Sequence, residues 1–143
     1  MSIVCPWEGL LKDVVFHCKE SHRSRFAECE FFMFSSTEDA VNVMLYDNEI
    51  FIFHKRFLAG KFFCAVEKVG ITQRPYTASF ILDTLSGCDR IMFTHSVNVM
   101  SRNLDEILVS GNFLTLNDKM LKRFISIGKL ALQVILLKAN LQN

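Results

Sequence analysis

The sequence predicts a mostly β protein, an antiparallel β-sandwich of about eight strands. From Cys29 onward, short runs rich in Phe and Val are separated by turn residues at intervals of about ten, which is typical of sandwiches and barrels. Half of the residues are hydrophobic, and fourteen Phe stand against only two Pro. This composition excludes a disordered or low-complexity chain.

The strands can be placed from these apolar runs and from the turns between them. Asp47-Asn48, Ala59-Gly60 and Ser86-Gly87 predict three hairpins, because Gly and Asn tolerate the positive φ that tight turns demand. We expect strands at 29–34, 40–46, 49–58, 61–70, 76–84, 89–99, 121–127 and 130–138.

Two of these strands are apolar on both faces. Ile50 to Phe53 and Phe62 to Val66 carry apolar residues at successive positions, which predicts strands covered by a second sheet.

Ser101 to Ser110 interrupts the β pattern, because its apolar residues are spaced three and four apart and Gly111 follows as a C-cap. A short helix is therefore expected. Asn117 is a possible cap for a further turn, but Phe124, Ile125 and Ile127 favour a strand.

Charge and hydropathy limit the functional classes. Sixteen basic and fifteen acidic residues are scattered along the chain, which gives nucleic-acid binding little support. The apolar run Leu130–Leu137 is too short to span a membrane, and the N-terminus does not have the pattern of a signal peptide. Five irregularly spaced cysteines indicate reduced thiols. These features predict a cytoplasmic or nuclear protein.

The first residues carry potential zinc ligands. Cys5, His17 and His22 follow the order Cys-x11-His-x4-His around a short predicted helix. A structural zinc site takes four ligands, and the fourth is missing. Cys18 is a poor substitute because its helical neighbour His17 points about 100° away, whereas Cys29 or water is freer to complete the site. Alternatively, Cys5 is a core residue and both histidines are surface residues.

The residues Cys5-Pro-Trp-x-Gly-x-Leu-x-Asp13, followed by His17 and His22, resemble the second zinc finger of the seven-in-absentia (Siah-type) family of ubiquitin ligases. In that family a TRAF-like substrate-binding β-sandwich follows the finger. The resemblance continues through successive strands, at 40–46, 49–57, 62–66, 70–74 and 91–95. It implies two units, a partial zinc finger and linker at 1–28 and a TRAF-like sandwich at 29–143.

The resemblance also implies site residues and an activity. It assigns Cys5, His17 and His22 to zinc, and it places a client peptide along a sheet edge at Asn42, Val43 and Leu45. Val43 replaces a tryptophan of the family pattern, so the usual client peptide is expected to bind weakly or not at all. Plain strand packing explains Asn42, Val43 and Leu45 equally well. The family's RING domain and first finger are absent from this sequence, so ligase activity of this chain alone is not expected.

Family members pair as two-fold dimers through this region, which implies a homodimer or a heterodimer with RING-bearing relatives. The apolar run Leu130–Leu137 requires cover, by a second copy or by the chain's own second sheet. Two functions remain open: a substrate-recognition module of the ubiquitin pathway, and a non-catalytic TRAF-like scaffold that has lost client and zinc binding.

Cys64, His54 and His95 are the residue types of a Cys-His nucleophilic enzyme. Each of these residues lies within a Phe- or Ile-rich strand, where a buried thiol or a packed histidine is the ordinary outcome. The spacing indicates no base and orienting group beside the thiol, and neither a phosphate-binding loop nor a His-Glu-x-x-His motif occurs.

Overall fold

The computed structural model of the chain describes residues 8–10, 13–21, 26–27, 31–35, 38–70, 74–99 and 104–139. Three short helices lie within these residues, α1 (Val14–Ser21), α2 (Leu104–Ser110) and α3 (Asp118–Lys122). The strands are β1 (Phe26–Ala27), β2 (Phe31–Ser35), β3 (Ala40–Tyr46), β4 (Glu49–Leu58), β5 (Lys61–Lys68), β6 (Tyr76–Asp83), β7 (Arg90–Ser96), β8 (Asn98–Val99), β9 (Leu114–Asn117), β10 (Ile125–Ser126) and β11 (Lys129–Lys138).

The strands form two sheets, and the predicted antiparallel β-sandwich is confirmed. Sheet A has the order β1-β3-β4-β5, with β8 and β9 both paired to β5. In sheet B, β11 pairs with β2, β6 and β10, and β7 lies beyond β6. All pairs are antiparallel except the two-residue pairs β1–β3 and β5–β8.

One apolar core fills the space between the sheets. Aromatic contacts join the two layers: the Phe51 and Tyr76 ring centroids lie 5.1 Å apart, and those of Phe53 and Phe80 lie 6.0 Å apart. Alternation along each strand supplies the other core residues, because every second side chain points to the same face. They include Met44, Phe62, Val66, Leu82, Leu114, Leu121, Leu130, Leu132, Val134 and Leu136.

Polar contacts close one end of the sandwich. Tyr76 Oη donates to Asp47 Oδ2 at 3.0 Å, and Lys138 Nζ lies 3.0 Å from the same oxygen, so the β3–β4 turn of sheet A is tied to β6 and β11 of sheet B. The hydrogen bonds from Lys138 and Tyr76 lower the pKa of Asp47. Burial and this carboxylate raise the pKa of Tyr76 to about 12.

The three predicted hairpin turns are present. Asp47 and Asn48 have φ of 53° and 57°, and Ala59 and Gly60 have φ of 49° and 76°, as tight two-residue turns require. Gly87 also has a positive φ, in the β6–β7 turn. The bounds of β3 and β4 match the predicted strands 40–46 and 49–58.

The predicted strand at 121–127 is wrong. Asn117 Oδ1 accepts a hydrogen bond from Met120 N at 2.8 Å and caps α3, which runs to Lys122. Only Ile125 and Ser126 are extended. The cap pairs one of the backbone N–H groups that the first turn of a helix leaves without a partner. The apolar residues Leu121 and Phe124 are buried in the core from this helix and the turn after it, so no strand is needed to bury them.

The prediction that a second sheet covers Phe62–Val66 is correct for only one face of the strand. Its inner face packs against sheet B, but Phe63 and Ala65 on the outer face pack against Ile107 of α2, with Phe113 beside them. The predicted helix within 101–110 is thus confirmed as α2, and Gly111 follows it at φ 75°.

The side chain of Asn98 links α2 to sheet A through hydrogen bonds. Its Nδ2 donates to Val66 O at 3.1 Å and to Asn112 O at 2.9 Å, and Ser110 Oγ donates to Asn98 Oδ1 at 2.7 Å. These bonds join the edge of β5 to the end of α2, which holds Ile107 over the outer face of the strand.

Candidate functional site

The predicted zinc ligands are only partly visible. His17 lies half-buried in α1, whereas Cys5 and His22 lie outside the described residues. Cys18 follows His17 in the same helix, and Cys29 also lies outside the described part. Among the residues that the structure describes, no three potential ligands are brought together as a metal site. The zinc assignment therefore stays a prediction.

The three predicted peptide-binding residues follow one another on β3 but differ in direction. Met44 is buried in the core, so alternation turns the side chain of Asn42 inward as well, while Val43 and Leu45 face outward. All three are half-buried. Asn42 Oδ1 is buried and has no hydrogen-bond partner among the residues that the structure describes.

The backbone N–H and C=O groups of Asn42 also point in the opposite direction to those of Val43 and Leu45. Tyr46 and Glu49 flank a two-residue turn, so Tyr46, Met44 and Asn42 exchange hydrogen bonds with β4. The N–H and C=O groups of Val43 and Leu45 then point away from β4, toward the edge of sheet A. Two of the three predicted residues thus present their backbone at an edge.

The β3 edge is partly occupied by the chain itself. Phe26 and Ala27 of β1 run parallel to β3, opposite Val43 and Met44. Both residues belong to the predicted first unit, 1–28, which comprises the partial finger and the linker. A peptide that adds to β3 therefore meets β1 at the middle of the strand.

The edge of sheet B is formed by β7, and unlike the β3 edge it has no strand beside it in the described part of the chain. Val97 N donates to Tyr76 O and Thr84 N donates to Asp89 O, which fixes the hydrogen-bonding pairs between β6 and β7. By alternation, Arg90, Met92, Thr94 and Ser96 direct their backbone groups away from β6. Within the described residues no strand pairs with this edge.

His95 packs beneath this edge. It is 6% exposed, and its ring lies 5.1 Å from that of Phe80 and 6.2 Å from that of Phe93, between centroids. Its Nδ1 lies 2.6 Å from Ser96 O, and a carbonyl can only accept, so Nδ1 carries the proton. Burial lowers the pKa of His95. Its Nε2 is buried without a partner in the described part of the chain.

Cys64, His54 and His95 do not converge. Cys64 is opposite Lys55 and points into the core, whereas His54 is opposite Ala65 on the outer face of sheet A. Burial raises the pKa of the Cys64 thiol, which keeps it protonated. His54 Nε2 instead lies 2.9 Å from Glu67 Oε1.

No protein-family model and no curated protein matches the chain. None of the described helices is both long and apolar enough to cross a membrane.

Proposed function

We propose that the chain is a non-catalytic, Siah-type substrate-recognition module of the ubiquitin pathway, acting in the cytoplasm or nucleus. It binds extended client peptides by strand addition and pairs with itself or with RING-bearing ligases. The observation that supports this best is the β3 edge, where Val43 and Leu45 present backbone groups outward on a strand that pairs antiparallel with β4.

Client binding at this edge requires that β1 be displaced or bypassed. Within the described part of the chain β1 contributes two residues, and its pairing is parallel, which is slightly less stable per residue than antiparallel pairing. A longer peptide that pairs with β3 from Ala40 to Tyr46 gains more backbone hydrogen bonds than β1 forms. Exchange of β1 for a client is therefore energetically accessible.

The test is binding of a fluorescent Siah-type client peptide, measured by anisotropy. A matched peptide that is N-methylated at alternate residues has lost the donors needed for strand addition and should not bind. Val43→Trp restores the aromatic residue of the family pattern, and it should strengthen binding about tenfold. Absence of binding by the folded wild type and by Val43→Trp would reject the proposal.

We also propose that Cys5, His17 and His22 bind zinc, with the fourth position completed by another ligand. Zinc can be quantified by mass spectrometry of the purified protein. About one ion per chain, lost in His17→Asn and kept in His54→Asn, is the expected result. A zinc content near zero would reject this part.

The second candidate function is a TRAF-like scaffold that binds neither clients nor zinc. The pairing of β1 with Val43 favours it, because the chain then occupies its own peptide edge. Deletion of residues 1–28 separates the two candidates. A recognition module should gain affinity for the client peptide when β1 is removed, whereas a scaffold should remain inert.

A further inference from the structure

A cavity of about 450 Å³ lies where β11 changes its neighbour in sheet B. β11 pairs with β10 at Lys129 and Leu130, and with β6 from Leu132 onward, so Ala131 lies between the ends of the two neighbouring strands. Leu130 and Leu132 are buried in the core, and alternation therefore turns the small side chain of Ala131 to the outer face of the sheet. The gap between the end of β6 and β10, beside Ala131, forms the cavity.

The two walls of the cavity are turns that carry exposed apolar side chains. Leu85 in the β6–β7 turn is 87% exposed, and Ile127 in the β10–β11 turn is 96% exposed. Polar contacts join the two walls. Arg123 Nη2, just before β10, lies 3.0 Å from Asp89 Oδ2 in the β6–β7 turn, and Thr84 N in turn donates to Asp89 O at 3.1 Å. The cavity is thus preformed between two apolar side chains.

Ile127 is strained by its own backbone conformation. It has a φ of 52° and Gly128 has a φ of 68°, in a two-residue turn for which Asn-Gly or Asp-Gly is the favoured sequence. A β-branched residue is unfavourable at positive φ, and an almost fully exposed side chain gains little from packing within the chain. Backbone strain of this kind is concentrated at functional sites. The strain therefore indicates that the Ile127 side chain contacts a partner.

The cavity has one charge without a counter-charge. Asp83 is paired with Arg90, with Nε 2.6 Å from Oδ1 and Nη2 3.3 Å from Oδ2. Lys129 is exposed, lies opposite Ser126 in the β10–β11 hairpin, and forms no ion pair within the residues that the structure describes. Charge complementarity therefore favours an acidic group on the molecule that binds here.

We infer that this cavity docks a segment of a partner protein, which inserts an aromatic side chain between Leu85 and Ile127 and places a carboxylate near Lys129. An apolar cavity of about 150 Å³ is enough for benzene, so this cavity can take an aromatic ring together with a second apolar side chain. A small molecule in the cavity would leave the outer surfaces of Leu85 and Ile127 in water, whereas a protein segment can cover them.

This docking site is independent of the client recognition proposed above. The cavity belongs to sheet B, whereas the β3 edge belongs to sheet A. Client peptides would add to β3 through their backbone, and the segment inferred here is held by its side chains. Either site can therefore exist without the other.

Selection from a phage-displayed library of random peptides of about twelve residues, on the immobilised full chain, tests the inference. The selected peptides should be enriched in aromatic and acidic residues. The dissociation constant of the best peptide, measured by anisotropy, should rise at least about tenfold in Ile127→Asn, because an apolar wall is lost. Val109→Asn removes an 88% exposed apolar side chain from α2 and is the matched control, which should bind like the wild type.

Two further measurements separate docking from folding. Ile127→Asn should raise the urea midpoint of unfolding while it weakens binding, because Asn is favoured in this turn. Lys129→Gln should weaken binding about threefold at about 0.01 M salt and have little effect at about 1 M, where salt screens the charge. Lys61→Gln, at an exposed position of β5, removes the same charge elsewhere and should leave binding unchanged.

Three outcomes would overturn the inference. The first is that no peptide is enriched over repeated rounds of selection, and the second is that the selected peptides bind Ile127→Asn as tightly as the wild type. The third is that phenylpropionate, which carries one ring and one carboxylate, binds more tightly than the best peptide, because the cavity would then be a small-molecule site. None of these outcomes affects the β3 edge, which the client-peptide assay with Val43→Trp tests separately.

Discussion

Strands β5 and β7 are similarly apolar, but they lie in different places. Seven consecutive residues of β5, from Phe62 to Lys68, are buried, because sheet B covers one face and α2 packs on part of the other. In β7 the side chains alternate, and only His95 is buried. Position within the sandwich, rather than composition, thus decides whether a strand is structural or is available to a partner.

The largest expected difference between these strands is in stability. Phe63→Ala should lower the free energy of unfolding by about 3 kcal/mol, because it removes a buried ring from the contact with Phe113 and Ile107. Met92→Ala on β7 should change the monomer's stability by less than about 0.5 kcal/mol. Urea unfolding of dilute samples measures both changes. Equal effects would show that β5 is not covered on its outer face.

The second difference concerns Lys55, which is fully buried next to β5. Its burial lowers its pKa to about 8, whereas the nearby carboxylates of Glu38 and Asp39 act in the opposite direction. Below that pH the charged ammonium is destabilising in the fold, so Lys55→Met should stabilise the protein by about 2 kcal/mol at pH 7.

The pH dependence tests the cause of that gain. Between pH 8 and the ordinary value of 10.5, the unfolded chain binds a proton on Lys55 that the folded chain does not. Wild-type stability therefore rises with pH across this window relative to Lys55→Met, and the gap should close. Lys61→Met, at an exposed position of β5, serves as the control and should show no such trend. A gap that is constant with pH would contradict the assignment.

A smaller effect is expected where α2 is attached to β5. Asn98→Ala leaves Val66 O without its side-chain donor and should cost about 1.5 kcal/mol. Exchange of the α2 amides should also become faster. Asn112→Ala keeps its backbone contacts and is the matched control. If both variants behave alike, Asn98 does not hold the helix.

Local patterns predicted the central part of the fold well. The bounds of β3 and β4 follow from the turn Asp47-Asn48, because a two-residue hairpin fixes both strand ends. The pattern failed after Asn117. Ile127 adopts a φ of 52° next to Gly128, a conformation that costs a β-branched residue about 1–2 kcal/mol, so its sequence does not indicate the turn that the structure has there.

The candidate site was less predictable for a physical reason. Alternation along β3 suffices to place the backbone of Val43 and Leu45 at a common edge. The pairing of Phe26 and Ala27 with that edge is long-range, and so is the placement of β7 at the end of sheet B. Local periodicity does not show which strands are neighbours in a sheet. The absence of ionised side chains from Ile91 to Ser96 can be read from the sequence, but it does not place this strand at an edge.

Amide hydrogen exchange of β1 and β3, followed by NMR with and without the Siah-type client peptide, tests the proposed function most directly. The amide of Met44 bonds to β4 and should exchange slowly in both samples. Ala27 pairs with β3, so its amide should exchange slowly without the peptide and quickly once the peptide has replaced β1. Slow exchange of Ala27 at a saturating peptide concentration would contradict the claim that a client replaces β1 at the β3 edge.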